Sequence, residues 1–200
     1  MTSEPAILLP PYPGISLNDI YLVINDADAE FAHACLQQAE ILGFDTETKP
    51  VFLKGQRSDG PHLVQLATEN KAFLFPVVQP QTIATVQAIL ENPAIVKVGF
   101  GLVDDLRHLK SKFGIVTANV IDLARLLRES KQRDMGAKTA VEKFFGMQLT
   151  KSKKISTSNW SQNPLSEKQI LYAANDAQVA LLVYQRYLAL KKDPVRSGTL

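Results

Sequence analysis

Short apolar runs alternate with amphipathic stretches along the chain. Apolar runs bounded by turn residues are typical of strands, and the pattern predicts five, at 21–24, 41–48, 62–68, 72–77 and 95–100. Stretches with a helical repeat predict helices at 26–40, 80–93, 103–114, 121–130, 138–146 and 164–192. The second, third and fourth strands are expected to form a connected antiparallel set. This order favours an α/β domain with a mixed central β-sheet flanked by α-helices.

The chain length and the proline positions predict one domain with an extended end. Two hundred residues suffice for one full hydrophobic core and are few for two. Four prolines make residues 1–14 an extended arm, so we expect a single domain over 15–192 and a short tail at 193–200. Asp26 or Asp28 is expected to cap the first helix.

Composition restricts the class of protein. The chain is 46% hydrophobic and 21% charged with a net charge of +2, which argues against a strongly basic nucleic-acid wrapper. An enzyme with local positive charge around an acidic site stays possible. The single Cys35 excludes an intrachain disulfide and fits a reducing compartment. Without a signal-peptide pattern or a long apolar span, the expected location is cytoplasmic, away from any membrane.

Two carboxylates stand at the end of the second predicted strand. Asp45 and Glu47 are two residues apart, so they share one face of the strand, while Thr46 and Thr48 share the other. Converging carboxylates repel each other and are costly to desolvate unless a cation lies between them. Magnesium and manganese prefer such oxygen ligands. A polar strand end in a loop is the alternative interpretation of this motif.

A second acidic pair opens the helix predicted at 103–114. Asp105 lies beside the apolar stripe formed by Leu102 and Leu109, whereas Asp104 lies about 100° away on the helix. Asp104 is therefore expected to be a solvated charge near the helix N-terminus, and Asp105 to face the domain. First-turn acids that only stabilise the helix are the alternative.

The final helix carries a third candidate pair. Tyr172 and Asp176 are four residues apart, so they are neighbours on one helix face. They flank the predicted buried stripe. A local Tyr–Asp hydrogen bond is the simpler alternative.

Together these segments resemble the DEDD superfamily of 3′-5′ exonucleases, in its tyrosine-containing subgroup, with ribonuclease D and the Werner-type exonuclease domain most similar. The matching motifs are FDTET with Asp45 and Glu47, VGFGLVDDL with Asp105, and YAAND with Tyr172 and Asp176. LVQLAT, FLFPV and the NW…PL pattern match as well. The resemblance spans residues 20–190.

The resemblance implies a ribonuclease H-like fold and a metal-dependent 3′-5′ exonuclease acting on DNA or RNA to release nucleoside 5′-monophosphates. It implies two divalent ions, Mg²⁺ or Mn²⁺, with Asp45 bridging both, Glu47 and Asp176 completing one site, and Asp105 holding the second, directly or through water. Tyr172 is assigned to orienting the water and the scissile phosphate, because a free phenol with a pKa near ~10 is a poor base.

Four further residues are candidate substrate contacts: Thr46, Phe100, Lys151 and Trp160. Lys151 opens a basic run, 151–154, that would neutralise phosphates or would be an ordinary solvated loop. Trp160 and Phe100 have packing roles as alternatives. Arg57, on the loop predicted at 54–61, is a weaker phosphate-binding candidate.

Two other functions compete with an exonuclease. A non-catalytic nucleic-acid-binding module could keep the same fold, but the four acids and Tyr172 are all present. A small-molecule enzyme with a phosphate-binding loop is disfavoured, because Asp104 stands where G-x-G-x-x-G needs its third glycine. The sequence does not distinguish DNA from RNA or single strands from duplexes, and it leaves the oligomeric state open.

Overall fold

The computed structural model describes residues 8–51, 55, 58–78, 80–129 and 134–192. The predicted loop position Arg57 and the tail at 193–200 lie outside the described residues. The strands are β1 (Ile20–Leu22), β2 (Ile41–Glu47), β3 (Leu63–Ala67), β4 (Ala72–Pro76), β5 (Val96–Gly99) and β6 (Val120–Asp122). The α-helices are α1 (Asp26–Leu36), α2 (Pro80–Leu90), α3 (Val103–Phe113), α4 (Leu123–Leu126), α5 (Ala137–Phe145), α6 (Lys153–Ser156) and α7 (Glu167–Lys192).

The six strands form one mixed sheet in the order β1-β4-β3-β2-β5-β6. The predicted antiparallel set is confirmed, since β3 pairs antiparallel with both β2 and β4. The other pairings, β1 with β4, β2 with β5 and β5 with β6, are parallel. The carboxyl ends of β2 and β5 therefore meet at one edge of the sheet, beside the amino end of α3.

Two local predictions are wrong. The stretch 121–130 was predicted as helix, but Val120–Asp122 forms the edge strand β6, and the chain turns into α4 where the Asp122 side chain accepts a hydrogen bond from Ala124 N at 3.0 Å. The N-cap of α1 is Asn25, whose side chain accepts from Asp28 N at 2.9 Å. Asp28 in turn accepts from Ile24 N at 3.1 Å, which makes a reciprocal capping arrangement.

The two faces of β2 pack against different helices. Leu42 and Phe44 are buried in a core cluster that includes residues of α1 and α2. On the opposite face, β2 packs closely on α7, and a Cβ added to Gly43 would lie 1.9 Å from the Ala177 carbonyl oxygen. A side chain at position 43 is thus excluded, and this close approach brings the end of β2 beside the middle of α7.

Residues 10–15, which include the described end of the N-terminal arm, run along the domain beside α7; residues 1–7 of the arm lie outside the described residues. Tyr12 N donates to the Gln148 carbonyl at 2.9 Å, and Gln148 N donates to the Pro10 carbonyl at 2.8 Å. Ile15 N donates to the Asn175 side-chain oxygen at 2.9 Å. Across the described ranges, we find no helix with the length and apolar character that a membrane crossing requires.

Candidate metal centre

Three carboxylates from β2 and α7 converge at one edge of the sheet. Asp45, Glu47 and Asp176 each offer an oxygen, and these oxygens all lie within 4.8 Å of one another. Strand alternation directs Asp45 and Glu47 to the α7 side of β2, the side on which Gly43 contacts α7. The close packing of β2 on α7 therefore brings the Asp176 carboxylate to the first two.

Glu47 and Asp176 are buried, Asp45 is half-buried, and the three carboxylates repel one another. Glu47 is 9% exposed and Asp176 is 7% exposed. Burial, followed by the negative charges of Asp176 and Asp105, raises the pKa of Asp45 well above its usual range. Burial, followed by Asp45 and Asp176, raises the pKa of Glu47 to about 10. At neutral pH the cluster therefore keeps protons unless a cation compensates its charge.

Lys151 supplies one positive charge at this site. Its Nζ lies 2.8 Å from Asp176 Oδ2 and 5.4 Å from the centre of the Tyr172 ring. Burial alone disfavours the charged lysine, but Asp176 outweighs it and raises the Lys151 pKa. The sequence pattern predicts Lys151 either as a phosphate contact or as part of an ordinary solvated loop. Its ion pair with Asp176 left no signal, because the two residues are distant in sequence and lie on different segments.

Asp105 lies next to the three-carboxylate cluster without belonging to it. The Thr46 hydroxyl, on the opposite face of β2 from Asp45, donates a hydrogen bond to Asp105 Oδ1. Burial raises the pKa of Asp105, and the hydrogen bond from Thr46 opposes that rise. Asp104 instead points outward and pairs with Arg107 at 3.0 Å. The structure therefore places Asp105, of the two acids, beside the cluster.

Tyr172 lies one helical turn before Asp176 and faces the same site. Burial and the negative charge of Asp176 raise the pKa of Tyr172 to about 12, so the phenol keeps its proton at neutral pH. Trp160 packs beside it, with ring centres 6.0 Å apart. The Trp160 indole is 2% exposed and donates to the Ser156 carbonyl at 3.1 Å, which favours packing over base stacking.

Phe100, the other aromatic candidate for a substrate contact, is half-buried against the core cluster that includes α5 residues.

The donor set fits a hard divalent cation. Carboxylate oxygens are the ligands that Mg²⁺ and Mn²⁺ prefer, and the three oxygens lie within 4.8 Å of one another. Burial, and for Asp45 and Glu47 also the neighbouring carboxylates, raise the carboxyl pKa values, and a cation bound among the three oxygens would favour their ionised forms. Asp45, Glu47 and Asp176 are therefore the residues that could hold it, with Asp105 adjacent.

Comparison with known proteins gives the family. The sequence profile of the 3′-5′ exonuclease family matches residues 22–190. The chain therefore belongs to the 3′-5′ exonuclease family. This exonuclease-family chain is 33% identical, over 76% of its length, to the mouse (Mus musculus) bifunctional 3′-5′ exonuclease/ATP-dependent helicase WRN. It is 33% identical, over 82% of its length, to the human (Homo sapiens) exonuclease mut-7 homolog. The matches span 11% and 21% of those two relatives.

Solved structures of exonucleases share the fold of this family member. The Aedes aegypti Nibbler EXO domain superposes with a TM-score of 0.75 at 22% identity, covering 89% of this chain and 91% of that domain. Escherichia coli RNase D superposes with a TM-score of 0.70 at 22% identity, covering 86% and 44%. Trypanosoma brucei RNase D, solved in complex with RNA U12, superposes with a TM-score of 0.73 at 22% identity, covering 84% and 61%. The fold is thus ribonuclease H-like, as expected from the sequence motifs.

Proposed function

We propose that this protein is a metal-dependent 3′-5′ exonuclease that hydrolyses the 3′-terminal phosphodiester bond of DNA or RNA and releases nucleoside 5′-monophosphates. One observation carries the proposal: the half-buried Asp45 and the buried Glu47 and Asp176 present oxygens within 4.8 Å of one another at the sheet edge. The reaction class, 3′-5′ exonucleolytic hydrolysis, is inferred from membership of the family. The presence of Tyr172 is the reason for proposing the tyrosine-containing subgroup.

The chemistry is an in-line phosphoryl displacement by water. The water oxygen forms a bond to phosphorus, the bond from phosphorus to the 3′ oxygen of the preceding nucleotide breaks, and that oxygen takes up a proton. Two bound divalent ions, Mg²⁺ or Mn²⁺, would lower the pKa of the water and stabilise the leaving oxygen. Asp45, Glu47 and Asp176 would hold the ions, with Asp105 contributing beside them.

Tyr172 and Lys151 would act on the substrate. Tyr172 keeps its proton at neutral pH, so it can donate a hydrogen bond to the water or to the phosphate, and it is not the general base. Lys151 is fixed by Asp176 at 2.8 Å and would place a positive charge beside the scissile phosphate. Thr46 would hold Asp105 through its hydroxyl.

The test uses two short oligonucleotides, one DNA and one RNA, each labelled at the 5′ end. With Mg²⁺ or Mn²⁺ we expect ladders that shorten from the 3′ end, and Asp45→Ala should abolish them because it removes a central ligand. Release of 5′-mononucleotides would establish the product. No ladder on either substrate, from protein that binds metal, would favour a non-catalytic nucleic-acid-binding module and contradict the proposal.

A further inference from the structure

Gln65, in the middle of β3, is a buried polar residue for which the fold alone gives no reason. Its side chain is 0% exposed. In the structure neither its Nε2 nor its Oε1 has a hydrogen-bond partner. Buried side-chain amides almost always have partners, because an unpaired buried donor or acceptor is costly. An orphaned amide in the centre of a sheet therefore points to a partner that forms under other conditions.

Strand alternation places the Gln65 side chain on the α7 face of the sheet. Its neighbours at two residues' distance, Leu63 and Ala67, pack in one core cluster with Ala173 and Ala177 of α7. Residues two apart on a strand share a face, so Gln65 lies under α7 as well. This is the face that carries the three carboxylates.

The strand register sets Gln65 beside a candidate metal ligand. Gln65 lies directly opposite Asp45 of β2, and on its other side it lies opposite Leu74 of β4. Side chains of directly opposed residues share a face, with Cβ atoms about 4.5–5.5 Å apart. Leu74 is apolar and fully buried, so of the two cross-strand neighbours only Asp45 offers the amide a polar group.

We propose that Gln65 is a positioning residue of the metal centre, whose amide N–H donates to the Asp45 carboxylate when a cation is bound there. Asp45 Oδ1 accepts from Thr46 N at 2.9 Å, so a second donor from Gln65 would fix the orientation of the carboxylate from its other side. The inference rests on the proposed function. It explains why the chain keeps an unpaired buried amide where an apolar residue would pack without loss.

If Gln65 has this role, replacing its amide should affect protein stability and metal affinity differently. Removing an orphaned amide while keeping the side-chain shape leaves a folded protein that is as stable or more stable. Removing a group that orients a metal ligand lowers metal affinity by about 10- to 100-fold. If Gln65 only fills space, removing its amide would leave metal affinity unchanged, so metal affinity is the measurement that decides.

The decisive experiment measures Mn²⁺ binding by isothermal titration calorimetry in wild type and in Gln65→Met, without substrate. We expect a dissociation constant about 10- to 100-fold higher in Gln65→Met, with a Tm of the metal-free protein equal to or above that of wild type. Thr82→Val is the matched control. Thr82 is also buried, and its Oγ1 also has no partner, but it lies on α2, away from the carboxylates.

The other possible results distinguish a wrong role for Gln65 from a wrong assignment of the metal centre. Equal Mn²⁺ affinity in wild type, Gln65→Met and Thr82→Val would overturn the role of Gln65 and leave the metal centre intact. A clearly lower Tm for metal-free Gln65→Met would also overturn it, since the amide would then be a stabilising part of the core. Failure of wild type to bind Mn²⁺ would overturn the metal centre and, with it, the inference.

Discussion

At the scale of single residues, the site consists of carboxyl groups that the fold holds close together, where burial and their neighbours disfavour the ionised form. Glu47 shows this most clearly, because burial and the neighbouring carboxylates raise its pKa to about 10. In an unfolded chain a glutamate titrates near pH ~4.3. Between these two values the folded protein binds a proton that the unfolded chain has lost, so this residue's contribution to stability falls as pH rises.

Glu47→Gln should therefore flatten the pH dependence of the metal-free protein. We expect the Tm of wild type, measured with a chelator from about pH 5 to about pH 9, to fall more steeply with pH than the Tm of Glu47→Gln. Mn²⁺ should reverse the fall in wild type, because a bound cation stabilises the ionised carboxylates. Parallel Tm curves for the two proteins would contradict the assignment of a buried, protonated Glu47.

Lys151 and Lys154 belong to one basic run but differ in their surroundings. Lys151 is ion-paired with the buried Asp176, whereas Lys154 is exposed. We expect Lys151→Met to lower kcat/KM on an oligonucleotide by about tenfold or more, since the buried Asp176 carboxylate loses its hydrogen-bonded cation. Lys154→Met should change it little. Equal losses in both variants would show that the summed charge of the run matters, and not the ion pair.

At the scale of elements, the contact between β2 and α7 forms the site. A Cβ at position 43 would lie 1.9 Å from the backbone oxygen of Ala177, which no side-chain rotation can relieve. We expect Gly43→Ala to force β2 and α7 apart, to destabilise the fold by about 1–3 kcal/mol or more, and to weaken Mn²⁺ binding because Asp176 moves away from Asp45. Thermal unfolding and calorimetry measure the two effects.

Gly136→Ala is the control for that substitution. Gly136 is the N-cap of α5, and a Cβ there would meet no described atom within 4 Å. We expect a stability loss of at most about 1 kcal/mol and unchanged Mn²⁺ affinity. Tight metal binding by a stable Gly43→Ala variant would show that the site does not depend on this close approach.

Some of the strands, helices and site residues could be predicted from the sequence, and others could not. The antiparallel set β2–β4 and α7 were predictable because their apolar periods are long and regular. Val120–Asp122 was not, because a three-residue strand is defined by backbone pairing with β5, and its apolar residues continue the pattern of α4. Asp45 and Glu47 were visible as a motif. The role of Gln65 could not be predicted, because a single polar residue within LVQLA gives no indication of its neighbours. Only the strand register places it opposite Asp45.

At the scale of the whole molecule, the N-terminal arm connects the segments that carry the site. Its backbone pairs with Gln148, shortly before Lys151, and Ile15 N bonds to Asn175, next to Asp176. Arm residues 12–14 also form one wall of a cavity of about 140 Å³ whose other walls include Tyr172 and Asp176. We propose that residues 15–192 form the exonuclease domain and that arm residues 10–14 support its site.

Deleting residues 1–13 tests this arrangement. Because β1–β6 and α7 lie outside the deletion, we expect circular dichroism to show the same secondary structure, with a lower Tm from the lost pairing to Gln148. The Lys151 segment loses its backbone support, so kcat/KM should fall more than Mn²⁺ affinity, whose carboxylates lie on β2 and α7. If Tm and kcat/KM both match those of the full chain, the arm is a passive extension and the site is complete without it.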